Sequence, residues 1–368
     1  MSGPIVLAAG GTGGHMIPAQ ALAGEFMARG RALALVTDRR GCGYGGSLDH
    51  IETAVVRAAS PNGRGLAGRS RALAMILAGT LQATRILARL RPAAVVGFGG
   101  YPSLPTMLAA CRAGIPTLLH EQNAVLGRVN RLLAPWTTAL ALSVTATRRV
   151  PRRARDKAEV TGNPVRPEIA AIGLQPYRAP SGGGPIVLLV FGGSQGAAIL
   201  SLAVPGALAR LNAELRGRLR VSQQCRTEDI EAAQSAYAEA DVDAELAPFF
   251  ADLPARLDAA HLVIARAGAS TIAELAAAGR PAILVPYQFA TDDHQTANAH
   301  VLSDAGGAWV IADADLTAAD LAARLDQFLT DDAALSSVAR SAAAGARRDA
   351  AAKLADLVEG IAADGGGR

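Results

Sequence analysis

One short pattern occurs twice in the sequence, and this repeat is the strongest constraint on the fold. Gly-Pro-Ile-Val-Leu leads into a glycine-rich turn within residues 3–15, and the same residues lead into another such turn within residues 184–196. An alanine- and leucine-rich stretch with helical periodicity follows each turn. Short continuous apolar runs are typical of strands that are buried on both faces of a parallel sheet. The repeat therefore predicts an α/β chain built from two doubly wound halves.

The length of the chain agrees with this division, because its 368 residues correspond to about two domains at ~150 residues each. A stretch rich in proline, arginine and glycine, residues 151–185, separates the two repeats. Such a composition is typical of a linker between domains. We therefore predict a first domain that ends at residue 163 and a second domain that spans residues 164–340.

Polar clusters follow several of the predicted strands. Residues 97–101 and 120–123 form such clusters in the first half, and residues 266–271 and 288–298 form them in the second. In open α/β sheets the ligand crevice lies outside the carboxyl ends of the strands. Because two such sheets are expected, we predict an active site in a cleft between the domains.

Composition narrows the class of protein and the class of partner. Hydrophobic residues make up 50% of the chain and charged residues 18%, which excludes a disordered protein. The net charge of +4 permits a phosphate-bearing partner or an anionic membrane but does not require nucleic acid, so no nucleic acid is predicted. The three cysteines stand far apart and form no CxxC pair, which predicts a reducing compartment and no metal cluster.

No export signal and no membrane-spanning segment are predicted. The first lysine or arginine is Arg29, so no charged region precedes an apolar run at the N-terminus. Two long uncharged runs, residues 93–111 and 179–209, are interrupted by glycine and proline, whereas a lipid-facing helix needs ~20 mostly apolar residues. Each run is better interpreted as a buried strand, a glycine turn and a helix.

The first glycine turn leaves more than one chemistry open. It fails the dinucleotide pattern GxGxxG, whose third glycine would fall on Met16, and no Walker lysine follows it. Asp38, at the end of a predicted strand, could still hold a ribose, so a nicotinamide enzyme stays open. His15 lies inside the turn and could cap the helix or act as a general base, because imidazole exchanges protons near neutral pH.

Two polar segments of the second half have both a structural and a functional interpretation. Ser270 and Thr271 stand where a helix N-cap is expected, and Glu274 follows Thr271 by three residues, as in a capping box. Alternatively, this helix N-terminus binds a diphosphate and Glu274 accepts hydrogen bonds from sugar hydroxyls. Residues 292–295 could form a solvated loop, a metal site or a sugar site. Sugar binding is favoured over a metal, because these residues alone provide poor geometry for one ion.

Seven motifs occur in an order that resembles the MurG family of glycosyltransferases. They are GGTGGH (10–15), FGGYPSLP (98–105), HEQN (120–123), GNPVR (162–166), GGSQGA (192–197), RAGAST with a later Glu (266–274) and DHQTANA (293–299). The resemblance covers essentially the whole chain. It implies a GT-B fold, in which two Rossmann-like parallel-sheet domains face a cleft, and it implies that the tail, residues 341–368, returns to the N-terminal domain.

The resemblance also implies an activity. Members of the family are inverting enzymes that move N-acetylglucosamine from UDP-N-acetylglucosamine to the C4 hydroxyl of lipid-linked N-acetylmuramoyl-pentapeptide, which converts lipid I to lipid II in peptidoglycan synthesis. They need no cofactor and no bound metal. The leaving diphosphate can instead be stabilised by helix N-termini and backbone N–H groups.

Individual residues take roles from the same resemblance. His15 is the candidate base and Glu274 a second candidate catalytic residue, while Gly99, Gly100 and Tyr101 form the implied acceptor loop. The residues implied to bind UDP-N-acetylglucosamine and its diphosphate are Thr12, Gly13, Gly14, Asn123, Arg166, Ser194, Phe250, Ala269, Ser270, Thr271, Glu274, His294 and Gln295.

Two positions depart from the family pattern. His294 stands where some members have glutamine, which leaves hydroxyl recognition there open, and Ser222 to Cys225 replaces a His-Gln-Ser-Gly-like loop, which leaves the role of that loop open. Three further functions also stay open: a related enzyme that glycosylates another lipid, a UDP-sugar epimerase, and a non-catalytic scaffold at a membrane surface.

The lipid-linked acceptor implies a peripheral enzyme at the cytoplasmic face of the inner membrane, with the cell-wall and division machinery as partners. Residues 69–91 are the predicted docking segment, because Leu73, Ile76 and Leu77 share a helical face and Leu81 adjoins it. The flanking arginines are Arg69, Arg71, Arg85, Arg89 and Arg91. An apolar stripe beside arginines suits an interfacial helix on anionic lipid. The alternative is an ordinary core helix.

Overall fold

The protein is described by a computed structural model. The residues that it describes are 3–11, 13–42, 45–60, 65–193 and 196–365. The chain divides into two compact units: the first consists of Met1–Arg166 with Arg347–Arg368, and the second of Pro167–Ala346.

The boundaries of these units are displaced from the predicted ones. The first unit extends beyond residue 163 to Arg166, and the chain returns to it at Arg347 rather than at residue 341. Residue 341 lies inside the helix Asp332–Ala344, which packs on a helix of the second unit. The chain can therefore return only after this helix has ended.

Each unit contains one sheet in which all paired strands run parallel. The strands of the first unit are β1 (Ile5–Ala8), β2 (Leu33–Thr37), β3 (Glu52–Val55), β4 (Ala94–Gly97), β5 (Thr117–Glu121), β6 (Ala139–Leu142) and β7 (Ala158–Val160). The strands of the second unit are β8 (Ile186–Phe191), β9 (Leu219–Gln224), β10 (Asp243–Ala247), β11 (Leu262–Ala265), β12 (Ala282–Leu284) and β13 (Trp309–Val310). The sheet orders are β3-β2-β1-β4-β5-β6-β7 and β10-β9-β8-β11-β12-β13. In both sheets the order reverses beside the first strand of the unit, which confirms the doubly wound halves predicted from the repeat.

Helices connect the strands and cover the sheets. They are α1 (Gly13–Ala28), α2 (Gly65–Leu90), α3 (Gly100–Arg112), α4 (Arg128–Leu133), α5 (Pro167–Ile172), α6 (Ala198–Leu208), α7 (Ala213–Arg218), α8 (Ile230–Glu239), α9 (Leu253–Ala259), α10 (Ala269–Ala278), α11 (His294–Ser303), α12 (Ala318–Leu329), α13 (Asp332–Ala344) and α14 (Ala350–Gly365). The two long uncharged runs of the sequence become β4 with α3 and β8 with α6, as strand–turn–helix units.

The first strand of the first unit shows why these runs lack polar residues. Ile5 and Leu7 pack with Phe26 of α1 on one face of the sheet, whereas Val6 packs with Met107 of α3 on the other. Successive side chains of a strand point to opposite faces, so a strand with helices on both sides needs an apolar residue at every position. The carboxyl ends of these strands then carry the polar residues.

The C-terminal helix α14 belongs to the first unit by its contacts. Its Leu354 and Val358 are buried against the layer that contains Phe26. At the edge of that layer the Arg29 guanidinium lies 2.6 Å from the Asp356 carboxylate and 2.9 Å from the Glu359 carboxylate. This packing attaches α14 to α1, the helix that follows the first glycine turn.

The helix α2 corrects one detail of the predicted docking segment. Ile76 is 8% exposed and packs into the core of the first unit, while Leu73 and Leu77 are each 58% exposed and Leu81 is 65% exposed. The apolar surface of α2 is therefore the stripe Leu73, Leu77 and Leu81, and Ile76 lies beside this stripe, on the side of the helix that packs into the core. Among the described residues, α2 over residues 67–90 is the one helix whose length and mean hydropathy of 1.3 would allow it to cross a membrane.

Candidate active site

The first glycine turn places His15 in the first turn of α1. Gly13 begins the helix, Gly14 is exposed beside it, and the predicted ligand residue Thr12 lies outside the described residues. Gly10 permits close packing of the turn, because a Cβ atom there would lie 2.7 Å from the Cβ of Pro102. The turn therefore sits directly against the start of α3.

Asp38 has a structural role at the end of β2. Its carboxylate accepts a hydrogen bond from the backbone N–H of Gly41 at 3.2 Å and lies 3.3 Å from Nε of Arg40. These contacts stabilise the turn that contains the carboxylate. The nicotinamide interpretation, which required this carboxylate to hold a ribose, gains no support from these contacts.

The acceptor loop predicted at residues 99–101 meets His15. Gly99 and Gly100 have φ values of 82° and 68°, and Gly99 is the N-cap of α3. A Cβ atom on Gly100 would lie 3.0 Å from Nε2 of His15, so a side chain at this position would crowd the imidazole. Tyr101 is half-buried, and its ring centroid lies 5.2 Å from the guanidinium carbon of Arg40. The second glycine turn of the first unit thus lies next to Nε2 of His15, which belongs to the first turn.

A chain of hydrogen bonds leads from His15 into the interior. Nδ1 of His15 lies 3.1 Å from Oε1 of Gln122, and Nε2 of Gln122 lies 3.0 Å from Nδ1 of His120. Nε2 of His120 in turn lies 3.0 Å from the carbonyl oxygen of Gly162. His120 is fully buried, and this burial lowers its pKa to about 4, so the imidazole is neutral at pH 7.

Glu121 organises the predicted donor residue Asn123. Oε1 of Glu121 accepts hydrogen bonds from the backbone and side-chain nitrogens of Asn123 at 3.0 and 3.1 Å. Oε2 accepts from the backbone N–H of Gly127 at 2.7 Å and from Nδ2 of Asn130 at 2.9 Å. The buried carboxylate therefore fixes the loop after β5, which positions Asn123.

In the second unit the glycine turn after β8 is braced by Gln224. Its Oε1 accepts from the N–H of Gly192 at 3.3 Å, and its Nε2 donates to the carbonyls of Gly193 and Pro248, each at 3.1 Å. The predicted ligand residue Ser194 lies outside the described residues. The turn follows the first strand of its sheet, as the turn at Gly10 does in the first unit.

The Ser222–Cys225 stretch is not the loop that the family pattern predicted. Ser222, Gln223 and Gln224 are the last residues of β9, and Cys225 follows directly. Gln223 is buried, where its Oε1 accepts a hydrogen bond from the Tyr237 hydroxyl and its Nε2 lies 3.3 Å from Cys225 Sγ. The residues before Gln224 therefore support the core of the second unit.

The N-terminus of α10 differs from the capping box considered above. Gly268 is the N-cap, and no side chain among the described residues caps it. Ala269 is the first helical residue, and Ser270 and Thr271 lie within the first turn rather than ahead of it. The buried hydroxyl of Ser270 has no hydrogen-bond partner among the described residues, and Glu274 is buried one turn further on. A helix N-terminus with uncapped N–H groups and a buried hydroxyl is suited to an anion.

Gln295 and His294 lie at the start of α11, after β12. Oε1 of Gln295 accepts a hydrogen bond from the backbone N–H of Tyr287 at 2.9 Å, which orients the amide. Nδ1 of His294 lies 2.8 Å from the carbonyl oxygen of Thr291, so its ring is held by its own turn. Within the described parts of the chain, no group of three or more His, Cys, Asp or Glu side chains is placed to hold a metal ion.

Arg266 supports both of these second-unit segments. Its guanidinium lies 2.6 Å from the Asp313 carboxylate and donates to the carbonyls of Val285 and Pro286 at 3.1 and 3.3 Å. The guanidinium also lies 5.3 Å from the ring centroid of Tyr287. This buried arginine ties the residue after β11 to the loop after β12.

Two of the implied ligand residues, Phe250 and Arg166, follow strands of different units. Phe250 follows β10, where its buried ring lies 4.0 Å from the guanidinium carbon of Arg256, while its neighbour Phe249 is exposed. Arg166 is half-buried at the last position of the first unit. The structure leaves the roles of both residues as predictions.

Sequence reasoning missed the two residues that connect His15 to the interior. Gln122 and His120 were recognised only as part of a motif, and no role was assigned to them. A signal was available, because residues 120 and 122 are two apart at the end of a strand and so point to the same face. The partnership of Arg266 with Asp313 was missed without any comparable signal.

Models of glycosyltransferase family 28 match both halves of the chain. The N-terminal domain of this family matches residues 5–142, and its C-terminal domain matches residues 187–355. These matches include both glycine turns, the residues around His15 and the α10 segment.

Individual proteins are similar over nearly the full length. The UDP-N-acetylglucosamine–N-acetylmuramyl-(pentapeptide) pyrophosphoryl-undecaprenol N-acetylglucosamine transferase of Paramagnetospirillum magneticum is 54% identical over 357 residues, which is 97% of this chain and 96% of that protein. The protein of the same name from Rhodospirillum centenum is 52% identical over 365 residues, 99% of this chain and 96% of that protein. The crystal structure of Acinetobacter baumannii MurG is 31% identical with a TM-score of 0.76 and covers 97% of this chain and 99% of that one. The chain therefore belongs to glycosyltransferase family 28 and, within it, to the MurG family.

Proposed function

We propose that this chain transfers N-acetylglucosamine from UDP-N-acetylglucosamine to the C4 hydroxyl of lipid-linked N-acetylmuramoyl-pentapeptide, which converts lipid I to lipid II in peptidoglycan synthesis. The observation that carries the proposal is the full-length similarity, at 54% and 52% identity, to relatives named for this reaction. The two-sheet fold and the separate polar clusters of the two units support it.

The second unit binds the donor in this proposal. The uncapped N–H groups of α10 and the Ser270 hydroxyl face the diphosphate, because a helix N-terminus stabilises negative charge. The carboxylate of Glu274 accepts hydrogen bonds from hydroxyls of the ribose, and the amide of Gln295 forms hydrogen bonds with hydroxyls of the sugar. As the glycosidic bond breaks, the same N–H groups stabilise the charge that develops on UDP.

The first unit binds the acceptor and supplies the base. The acceptor O4 attacks C1 of the sugar from the face opposite the phosphate, its proton passes to Nε2 of His15, and the electron pair of the C1–O bond leaves with UDP. Direct attack on the α-linked donor gives a β product. The closeness of Gly100 to Nε2 supports this role, since a side chain at position 100 would crowd the nitrogen.

The helix α2 docks the enzyme on the membrane that holds the acceptor. Leu73, Leu77 and Leu81 form its exposed apolar stripe, and Arg69 and Arg85 are exposed on the same helix. An apolar stripe flanked by cations is suited to the interface of an anionic bilayer. We place the enzyme at the cytoplasmic face of the inner membrane, where cell-wall and division proteins are its expected partners.

The transfer itself is tested by incubation with UDP-N-acetylglucosamine and a synthetic lipid-linked muramoyl acceptor, with and without a chelator. We expect release of UDP that requires the acceptor and survives the chelator. Epimerisation of the donor without acceptor would identify an epimerase instead. Absence of both reactions would support a scaffold, and release of UDP with a different lipid only would change the acceptor.

Docking is tested with the double variant Leu73→Ser/Leu77→Ser. We expect a smaller fraction of this variant to sediment with anionic vesicles. The fraction should fall further as the salt concentration rises, because screening weakens the attraction between the arginines and the lipid headgroups. Activity on a soluble short-chain acceptor should be retained. The matched control is Leu174→Ser/Leu202→Ser, two exposed leucines of the second unit, which should sediment like the unmodified protein. Equal losses in the two double variants would place the docking surface elsewhere.

A further inference from the structure

We propose that Gln122 and His120 are positioning residues that hold His15 in one tautomer, with the proton on Nδ1 and the lone pair on Nε2. This inference rests on the proposed function, in which Nε2 receives the proton of the acceptor hydroxyl. It follows from four hydrogen bonds, taken in order from the interior to the surface of the first unit.

The order starts at the carbonyl oxygen of Gly162, which can only accept a hydrogen bond. Nε2 of His120 lies 3.0 Å from this oxygen and therefore carries a proton. The imidazole of His120 is neutral, because it is fully buried, so it has one ring proton and its Nδ1 is an acceptor. The backbone of Gly162 is closely packed, since a Cβ atom at this residue would lie 2.8 Å from the Cβ of Arg347 in the C-terminal segment of the first unit.

The second step sets the orientation of the Gln122 amide. One end of the amide lies 3.0 Å from the backbone carbonyl of His120 and 3.0 Å from Nδ1 of the same residue. Both of these atoms are acceptors, so this end must be the NH₂ group, which has two protons to donate. The amide oxygen is consequently the end that faces His15.

The third step sets the tautomer of His15. Oε1 of Gln122 only accepts, so Nδ1 of His15, 3.1 Å away, must carry the proton. An uncharged imidazole has no second ring proton, so in this tautomer Nε2 keeps its lone pair. Nε2 lies on the edge of the ring that faces Gly100. The partner that orients the base is a neutral amide, and a buried imidazole fixes that amide in turn.

Gln122 thus performs the orienting task that a carboxylate performs for the histidine of a serine-protease triad, where the wrong tautomer lowers kcat by about 10⁴. A neutral amide stabilises the imidazolium less than a carboxylate does. We therefore expect a smaller effect here, with kcat about tenfold or more lower when Gln122 can no longer accept from Nδ1.

The tautomer is measured directly by long-range ¹H–¹⁵N spectra of the full-length protein labelled with ¹⁵N-histidine. The chain has six histidines, and the signals of His15 and His120 are assigned from His15→Gln and His120→Gln. At pH 7.5 we expect the ring proton of His15 on Nδ1 and that of His120 on Nε2. A His15 with its proton on Nε2 would overturn the proposal, and this measurement needs no variant of Gln122.

Kinetics with a soluble short-chain acceptor test the consequence. Gln122→Met removes all three hydrogen bonds of the amide and should lower kcat about tenfold or more. The KM for the donor should change less than about twofold, and His15 should show a mixture of tautomers. Gln122→Glu keeps an acceptor for Nδ1 of His15, although its second oxygen faces two acceptors of His120. This variant should keep the His15 proton on Nδ1 and restore part of kcat. The matched control is Gln82→Met, a glutamine of the same unit whose Oε1 accepts from the backbone N–H of Arg57, and it should leave kcat unchanged.

The failure of this inference is distinguishable from failure of the proposed function. If the unmodified enzyme transfers the sugar but Gln122→Met keeps the His15 tautomer and its kcat, the positioning role is wrong and the transferase assignment stands. If Gln122→Met and Gln122→Glu lose kcat equally while the His15 tautomer is unchanged in both, Gln122 acts otherwise and the inference is overturned. If the unmodified enzyme transfers no sugar, the proposed function is wrong, and the tautomers measured by NMR still decide the hydrogen-bond order.

Discussion

The loop after β5 and the N-terminus of α10 both lie at the carboxyl end of a parallel strand. They differ in whether their buried polar side chains have hydrogen-bond partners. The side chains of His120 and Gln122 are hydrogen-bonded one to the next, from the Gly162 carbonyl to the His15 ring. At α10 the Ser270 hydroxyl is buried without a partner among the described residues, and Gly268 provides no side-chain cap there. A paired network holds a base in one state, whereas unpaired donors are available to an anion.

This difference predicts different costs of substitution. Unpaired buried donors destabilise the fold until a ligand accepts from them, so their removal should affect binding more than stability. Members of a paired network stabilise one another, so removal of one member should affect both the chemistry and the stability of the first unit.

The largest expected effect is that of His15→Ala. General-base catalysis contributes about 10²–10⁴ in rate, so kcat should fall by at least about a hundredfold while the KM for UDP-N-acetylglucosamine changes little. Steady-state release of UDP with a short-chain acceptor measures both. A fall in kcat below about tenfold would show that His15 only shapes its turn.

The second effect is a loss of stability in acid that depends on His120. Burial lowers its folded-state pKa to about 4, below the ordinary 6.5, so the unfolded chain binds the proton more readily. The contribution is present above pH 6.5, is lost as pH falls from 6.5 to about 4, and amounts to about 3 kcal/mol.

Denaturant unfolding at a series of pH values measures this loss, and His120→Gln should show a flatter dependence across that window. Burial also lowers the pKa of His261 in the second unit, which acts in the same direction and remains in the variant. Identical pH slopes for the variant and the unmodified protein would contradict the prediction.

A smaller effect is expected from Glu274→Gln and Gln295→Ala in the second unit. Loss of a hydrogen bond to a bound hydroxyl costs about 1–3 kcal/mol, so use of UDP-N-acetylglucosamine should weaken about tenfold or more. The ratio kcat/KM for the donor is the measurement. Glu231→Ala, an exposed glutamate on α8, serves as the control and should retain the ratio. Unchanged donor kinetics in both site variants would remove these residues from the donor site.

The smallest effect should come from Ser270→Ala, which removes the unpaired hydroxyl at the N-terminus of α10. Its hydroxyl is buried without a partner among the described residues, so the free energy of unfolding should change by no more than about 1 kcal/mol while the KM for the donor rises about threefold to tenfold. Ser201→Ala on α6 is the matched control, because Ser201 is a buried helical serine whose hydroxyl donates to the Ala197 carbonyl. It should leave the KM for the donor unchanged. A donor KM that does not rise in Ser270→Ala would show that this hydroxyl has another function.

Much of the fold was predictable, and the failures have physical causes. The central strands β1, β4, β8 and β11 were recognised because burial on both faces requires continuous apolar runs. The strand β9 was missed because its exposed Arg220 and the polar Ser222 interrupt the apolar pattern. The helix boundary at Gly268 was misplaced by two residues, since serine and threonine are preferred caps but a glycine in extended conformation served instead.

The residues of the site could be predicted from the sequence, but the hydrogen bonds between them could not. The motif residues 10–15, 99–101 and 120–123 were expected near one another, because all follow strands of one parallel sheet. That Gln122 would pair with His15 could not be predicted, because the pair is 107 residues apart in sequence and depends on the register of the sheet. The orientation of α2 was equally beyond periodicity, since Ile76 and Leu77 are adjacent residues of similar hydrophobicity and only packing turned Ile76 inward.

Two doubly wound halves, the places of their glycine turns and the residue types at the strand ends could all be predicted from the amino-acid sequence. These properties depend on local pattern, since a continuous apolar run followed by glycines has few other stable arrangements. Tertiary packing then determined which of these polar side chains are paired and which stay unpaired, and thus which cluster holds the proposed base and which presents a donor to an anion. Hydrogen bonds form within about 3 Å between groups far apart in the chain, so their partners are decided only once the strands and helices have packed.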